Sequence, residues 1–186
     1  VEALAASVLL VAAAEIGDKT QLLSLYLAAR YRAPLAISAG IAVATLANHA
    51  LAAWAGAWVG QLLPEGALPW VIGLSFLGFA VWALFGDTLS APTGLERRQL
   101  GVFALSTAAF FLVEMGDKTQ VATVALAAKY QSLAAIVAGT TIGMLIANLP
   151  VVYAGQRLAD RIPLRCARWF AASLFAAAGV ATLAST

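Results

Sequence analysis

Two short polar blocks carry most of the chemistry available to this chain. The first is Glu15-Ile16-Gly17-Asp18-Lys19-Thr20-Gln21 and the second is Glu114-Met115-Gly116-Asp117-Lys118-Thr119-Gln120. In a helix, Glu15 and Asp18 are three apart and face the same way, Gln21 extends that face, and Lys19 is placed to reach back to Glu15. Thr20 and Thr119 supply hydrogen bonds nearby. Gly17 and Gly116 permit close approach of a partner helix, or a local break. If the two blocks meet, the carboxylates of Glu15, Asp18, Glu114 and Asp117 surround one space. With Lys19 and Lys118 charged, four acids and two bases sum to −2, which balances one divalent cation. Oxygen donors suit hard ions such as Ca2+, Mn2+ or Mg2+. The one cysteine, Cys166, excludes an internal disulfide and a thiolate metal cage. Protons and a cation compete for the same carboxylate oxygens, the minimum requirement for proton–cation antiport, and the lysines can pair with an aspartate while the site is empty.

The elements that must position these blocks are membrane helices. Hydrophobic residues make up 62% of the 186 and charged residues 11%, where a soluble domain carries about 25% charge. The mean hydropathy is +0.90. A water-soluble globule and a disordered chain are excluded, and a net charge of +2 leaves no basic face for nucleic acid. Six apolar segments are long enough to span a bilayer, near 3–28, 34–60, 69–86, 100–128, 133–156 and 167–184. Pro34, Pro64-Glu65-Gly66, Pro69, Pro92-Thr93-Gly94 and Pro163 punctuate them. The first span exceeds a signal peptide's apolar region and lacks a basic start, so it reads as retained. Glu15 is about 18 Å into its span at 1.5 Å per residue, near the bilayer midplane, and Glu114 is placed alike. Ionisable residues at that depth usually serve a function.

The chain is also duplicated. A shift of 99 residues overlays the two blocks without a gap, then Leu27-Ala28-Ala29 on Leu126-Ala127-Ala128, Ala39-Gly40 on Ala138-Gly139, Pro64 on Pro163, and Trp70 and Phe76 on Trp169 and Phe175. The expected organisation is a three-helix repeat over 1–86, a cytoplasmic linker over 87–99 and a second repeat over 100–186. Three spans are an odd number, so the second copy enters from the opposite side. The repeats are then inverted, as in many secondary transporters, with the site near the midplane between them. Arg30, Arg32, Arg97, Arg98, Arg157, Arg161, Arg165 and Arg168 fall on one side and only Lys129 on the other. That bias places both termini on the non-cytoplasmic side. The tryptophans, Trp58, Trp70 and Trp169 among them, read as lipid contacts near the interfaces.

Weaker signals lie in spans two and five. Asn48 in span two and Asn148 in span five offer amide oxygens that complete a coordination sphere or simply bond a neighbouring helix. His49 aligns with Asn148, and because the two differ it reads as a hydrogen-bonded core residue rather than a ligand. Ser24 and Thr123 match in the repeat and either line a path or pack helices. Pro150 is expected to bend span five. Three other readings compete. The blocks could be an interhelical salt-bridge cluster; they could line a passive divalent-cation channel; or Asp18 and Asp117 could be the dyad of an intramembrane aspartyl protease. The last needs neither the glutamates and lysines nor an inverted repeat.

Glu-x-Gly-Asp-Lys-Thr, occurring twice in a six-span chain, resembles the membrane family once catalogued as uncharacterised protein family sixteen, whose members exchange manganese and calcium. The resemblance covers essentially the whole chain. It implies that Glu15, Asp18, Glu114 and Asp117 form the cation site, with Thr20, Gln21, Thr119 and Gln120 beside it, and that Mn2+ or Ca2+ moves against protons. The resulting expectation is an all-α membrane protein of six helices in two inverted repeats. It exports divalent cations from the cytoplasm, across a bacterial inner membrane, and is not an enzyme. No prosthetic group is expected. The partners are the metal ion, protons, the lipid bilayer and, as such bundles allow, a second copy of the chain.

Overall fold

The computed structural model describes residues 1–64, 66–85, 101–154 and 164–185. The expected linker 87–99, the arginines 97, 98, 157 and 161, and Pro92-Thr93-Gly94 and Pro163 lie outside the described residues. Among those described, every regular element is helical. The first four helices are α1 (Glu2–Glu15), α2 (Lys19–Tyr31), α3 (Pro34–Leu62) and α4 (Leu68–Ala83). The second four are α5 (Val102–Glu114), α6 (Lys118–Tyr130), α7 (Leu133–Ala154) and α8 (Leu164–Ala184). Proline opens α3 and α4, where its missing N–H costs nothing. Pro150 lies inside α7. Helices α3, α7 and α8 are individually long and apolar enough to cross a membrane, and α4 and α5 are shorter apolar helices.

The continuous spans expected over 3–28 and 100–128 are each two helices. The cause is the glycine of each block. Ile16 has φ −65° and ψ 115°, Gly17 has φ 84°, and the Asp18 N–H donates to the Glu15 carbonyl at 3.1 Å. Met115 (φ −63°, ψ 120°) and Gly116 (φ 78°) repeat this, with Asp117 N–H donating to the Glu114 carbonyl at 3.0 Å. These are type II turns, whose third residue needs positive φ and hence glycine. Each turn ends one half-helix at a glutamate and starts the next behind an aspartate at the N-cap.

The half-helices pack across the duplication. α1 lies along α7, and α5 lies along α3; α3 also packs on α6 and α7, α2 on α7, and α4 on α8. Matched residues make matched contacts. A Cβ on Gly40 of α3 would stand 2.7 Å from Ser106 Cβ of α5, and one on Gly139 of α7 would stand 2.7 Å from Ser7 Cβ of α1. Phe76 of α4 and Phe175 of α8, also repeat mates, stack with ring centroids 6.3 Å apart, and Phe79 meets Phe175 edge-on at 5.8 Å. The polarity is that of a membrane protein. Leu46, Trp54, Trp58, Trp70, Leu74, Ile146 and Phe170 are exposed, while Glu15, Asp18, Glu114 and Asp117 are buried. Apolar groups outside and carboxylates within suit a lipid solvent. The chain is an all-α integral membrane protein.

Candidate cation-binding site

Each type II turn places a glutamate at the C-terminal end of a half-helix, at the level where the two repeats interleave. One carboxylate oxygen from each of Glu15, Glu114 and Asp117 lies within 4.8 Å of the others. All three residues are buried. Both repeats therefore contribute to one acidic cluster. The C-terminal ends of α1 and α5 also direct the negative poles of their dipoles to the same region, which favours a cation.

The threonines fix the glutamates. Thr20 Oγ1 donates to Glu15 Oε2, and Thr119 Oγ1 donates to Glu114 Oε1 at 2.6 Å. Each bond spans five residues, across the turn, so it exists only because the helix is broken there. The other oxygens, Glu15 Oε1 and Glu114 Oε2, and also Asp117 Oδ2, are buried and accept no hydrogen bond from the protein. Buried acceptors without donors are costly, and a cation is the species that would satisfy all three at once.

Asp18 stands apart from this cluster. Lys118 Nζ is 2.9 Å from Asp18 Oδ1, and Lys19 Nζ is 3.0 Å from Asp117 Oδ1. Each lysine thus pairs with an aspartate, one of the two partners the sequence offered, and that aspartate belongs to the opposite repeat; the glutamate one turn before is not the partner. The turn resets the helical phase, so the i, i+3 and i, i+4 relations across it no longer hold. The two pairs differ in surroundings: the Lys118 side chain is 5% exposed and that of Lys19 is 21%.

The glutamines serve the turns. Gln21 Oε1 accepts from the Gly17 N–H at 2.8 Å while its Nε2 donates to the Ala147 carbonyl of α7 at 2.8 Å. Gln120 Oε1 accepts from the Gly116 N–H at 2.6 Å. Ser24 Oγ donates to Asn148 Oδ1 at 2.8 Å, tying α2 to α7, and Asn148 Nδ2 donates to the Met144 carbonyl at 3.1 Å. Thr123 Oγ1 donates within its own helix to the Thr119 carbonyl at 2.7 Å. Asn148 is therefore consumed in holding helices. Asn48 is only half consumed: its Nδ2 donates to the Phe111 carbonyl at 3.0 Å, and its Oδ1 is buried without a donor.

His49 meets its sequence reading in part. It is fully buried, and neither ring nitrogen has a hydrogen-bond partner in the protein. Its Nε2 is 3.8 Å from Glu114 Oε1. It is a core residue, as the sequence suggested, but without the hydrogen bond expected of it. The sequence signal at this level of α3 is a run of polar side chains, Thr45, Asn48 and His49, within a mostly apolar helix.

A profile of the family described as divalent cation/proton antiporter GDT1 matches residues 3–91 and 102–186. A protein of Vibrio cholerae serotype O1 with the name "Putative manganese exporter" is 51% identical, over 96% of this chain and 89% of its own length. A GDT1-like protein of Synechocystis sp. is 28% identical, with 86% of each chain covered. No solved structure matches. The family and the Vibrio cholerae relative are named as transporters rather than enzymes, and the protease reading of Asp18 and Asp117 falls with that, each aspartate being held by a lysine instead. With the doubled Glu-x-Gly-Asp-Lys-Thr block and a profile match that runs through both halves, the chain belongs to the divalent cation/proton antiporter GDT1 family.

Proposed function

We propose that this chain exports Mn2+, with Ca2+ as a second substrate, from the cytoplasm in exchange for protons. In this reading the half-helix pairs α1–α2 and α5–α6 are broken spans, and with α3, α4, α7 and α8 they make six crossings in two inverted repeats, 1–86 and 100–186. The substrate site is the midplane cluster of Glu15, Glu114 and Asp117, with Asp18, Lys19 and Lys118 exchanging partners around it. The protein sits in a bacterial inner membrane with both termini on the non-cytoplasmic side.

The observation that carries the reading is the convergence of three buried carboxylates from both repeats at the two helix breaks. A site shared between the repeats is one that relative motion of the repeats exposes to either side in turn. Carboxylates bind a metal only when deprotonated, so protons entering from one side displace the ion, and metal moving one way is matched by protons moving the other. The export direction follows the name of the Vibrio cholerae relative.

The test is flux of Mn2+ and Ca2+ into proteoliposomes with internal pH recorded. Metal movement matched by opposite proton movement is expected, and Glu15→Gln or Glu114→Gln should abolish both while the protein remains folded in the membrane. Metal flux indifferent to an imposed pH gradient would replace the exchanger with a passive channel. Normal transport by both variants would remove the carboxylate cluster from the mechanism.

A further inference from the structure

Among the described residues, His49 is a buried titratable side chain beside the cluster with neither ring nitrogen hydrogen-bonded. Helix α3 runs along α5, whose last residue is Glu114, and this contact brings the His49 ring to the acidic site. Nε2 stands 3.8 Å from Glu114 Oε1, and both ring nitrogens are buried without a hydrogen-bond partner. Thr45, one turn earlier on the same face, also has a buried hydroxyl with no partner. The corresponding pair in the second repeat is Met144 and Asn148, which bond to each other. The two repeats are therefore unlike at this level. In repeat two the amide of Asn148 is bonded on both sides, to Ser24 and to Met144, whereas Thr45 and His49 of repeat one have no hydrogen-bond partner.

The spacing fits shared coordination. With metal–ligand bonds of about 2.0–2.6 Å, two donors on one ion stand from about 3 Å apart when adjacent to about 5 Å when opposite. The 3.8 Å between Nε2 and Glu114 Oε1 lies in that range; His49 stands outside the group of Glu15, Glu114 and Asp117 oxygens that lie within 4.8 Å of one another, so it would join the ion beside Glu114 by a small closure of the ring onto the site. A packing role alone accounts less well for the site, because a buried imidazole without partners is costly and an apolar ring would fill the same space.

We propose that His49 is a nitrogen donor to the transported ion and sets the selectivity of the site for first-row transition ions over Ca2+ and Mg2+. This rests on the cation-exchanger reading above and deepens it. Ca2+ and Mg2+ are held by oxygen ligands. Carboxylates joined by an imidazole are the donor set of manganese and iron carboxylate sites in helical bundles. Mn2+ is thus the preferred cargo, and Fe2+ and Co2+ are its chemical competitors.

The chain has a single histidine, so labelling with 15N-histidine on a histidine-free tag reports His49 alone. Electron spin-echo envelope modulation of the full-length protein loaded with Mn2+ should show a directly bound nitrogen, and 15N labelling should convert its signature. His49→Gln should remove the signal and lower the preference for Mn2+ over Ca2+ by at least about tenfold, the scale on which ligand-shell changes alter metal affinity. Bound Mn2+ with no histidine nitrogen overturns the proposal and leaves the exchanger reading intact, and this spectrum needs no variant. Unchanged Mn2+/Ca2+ selectivity in a folded His49→Gln protein overturns it as well. A wild-type protein that neither binds nor moves either metal overturns both readings.

Discussion

At the scale of single residues, the two lysine–aspartate pairs offer an internal comparison, because chemically identical pairs sit in unequal surroundings. Lys118 meets Asp18 at 2.9 Å with both side chains almost wholly buried. Lys19 meets Asp117 at 3.0 Å with its own side chain 21% exposed. Removing one partner of a buried pair costs about 3–5 kcal/mol because a buried charge remains; Asp18 and Asp117 are equally buried, so the pairs differ in the lysine, which solvent reaches at Lys19 and scarcely at Lys118. Lys118→Gln should therefore lower the thermal stability of the purified protein clearly more than Lys19→Gln, and Asp18→Asn added to Lys118→Gln should recover part of the loss. Equal losses would mean that the pairs are equivalent and that the difference in burial has no energetic consequence. That Glu15, Glu114 and Asp117 come together was legible in the sequence, from residue type and from two matched blocks. That lysine meets aspartate was legible as one of two options, the other being the glutamate one turn before; helical spacing could not choose between them, because it does not carry through the turns at Gly17 and Gly116. The surroundings of His49 were not legible, because its repeat mate is an asparagine and duplication preserves backbone more strictly than the contacts of a single side chain.

At the scale of elements, the turn between half-helices is the device on which the site depends, and its glycine is required by conformation rather than by space. A Cβ added to Gly116 would meet nothing within 4 Å, yet its φ is 78°. Gly116→Ala should cost about 1–2 kcal/mol, the penalty for an L-residue in left-handed conformation, and should loosen Glu114, whose bond from Thr119 spans the turn. Gly116→Asn should be milder, since asparagine tolerates the third position of a type II turn. If alanine and asparagine behave alike in thermal unfolding and in Mn2+ transport, the turn is not what holds the glutamate. Gly139 makes the complementary case. It lies within α7, and a Cβ there would stand 2.7 Å from both the Leu4 carbonyl oxygen and Ser7 Cβ. Gly139→Ala should destabilise by about 1–3 kcal/mol through overpacking, by separating α7 from α1. The sequence allowed for a break at these blocks but its hydrophobic runs read as continuous, because hydropathy averages over about 19 residues and a four-residue turn between apolar segments leaves no trace in it.

At the scale of the whole molecule, duplication was the most informative feature of the sequence, and interleaving was the part it concealed. A 99-residue shift identifies two copies, but it does not say that α1 packs on α7 and α5 on α3, so that neither repeat encloses the site alone. The swapped packing has a physical consequence: the acidic cluster is built from one glutamate of the first repeat and a glutamate and an aspartate of the second, and any rocking of one repeat against the other must change its geometry. Which compartment each state faces depends on the orientation of the chain in the membrane, and Cys166 can report it without engineering. It is the chain's only cysteine and is exposed near the start of α8, between Arg165 and Arg168. The arginine bias assigns that end of α8 to the cytoplasm. A membrane-impermeant maleimide should then leave the protein unlabelled in intact spheroplasts and label it in inverted vesicles. The far end of α8 provides the matched control: with Cys166→Ser and a cysteine at Ser185, the accessibility should reverse. If Cys166 reacts from outside, the orientation is opposite to the one proposed and the arginine bias does not set it, while the direction of exchange, which the proton and metal gradients fix, is left unchanged.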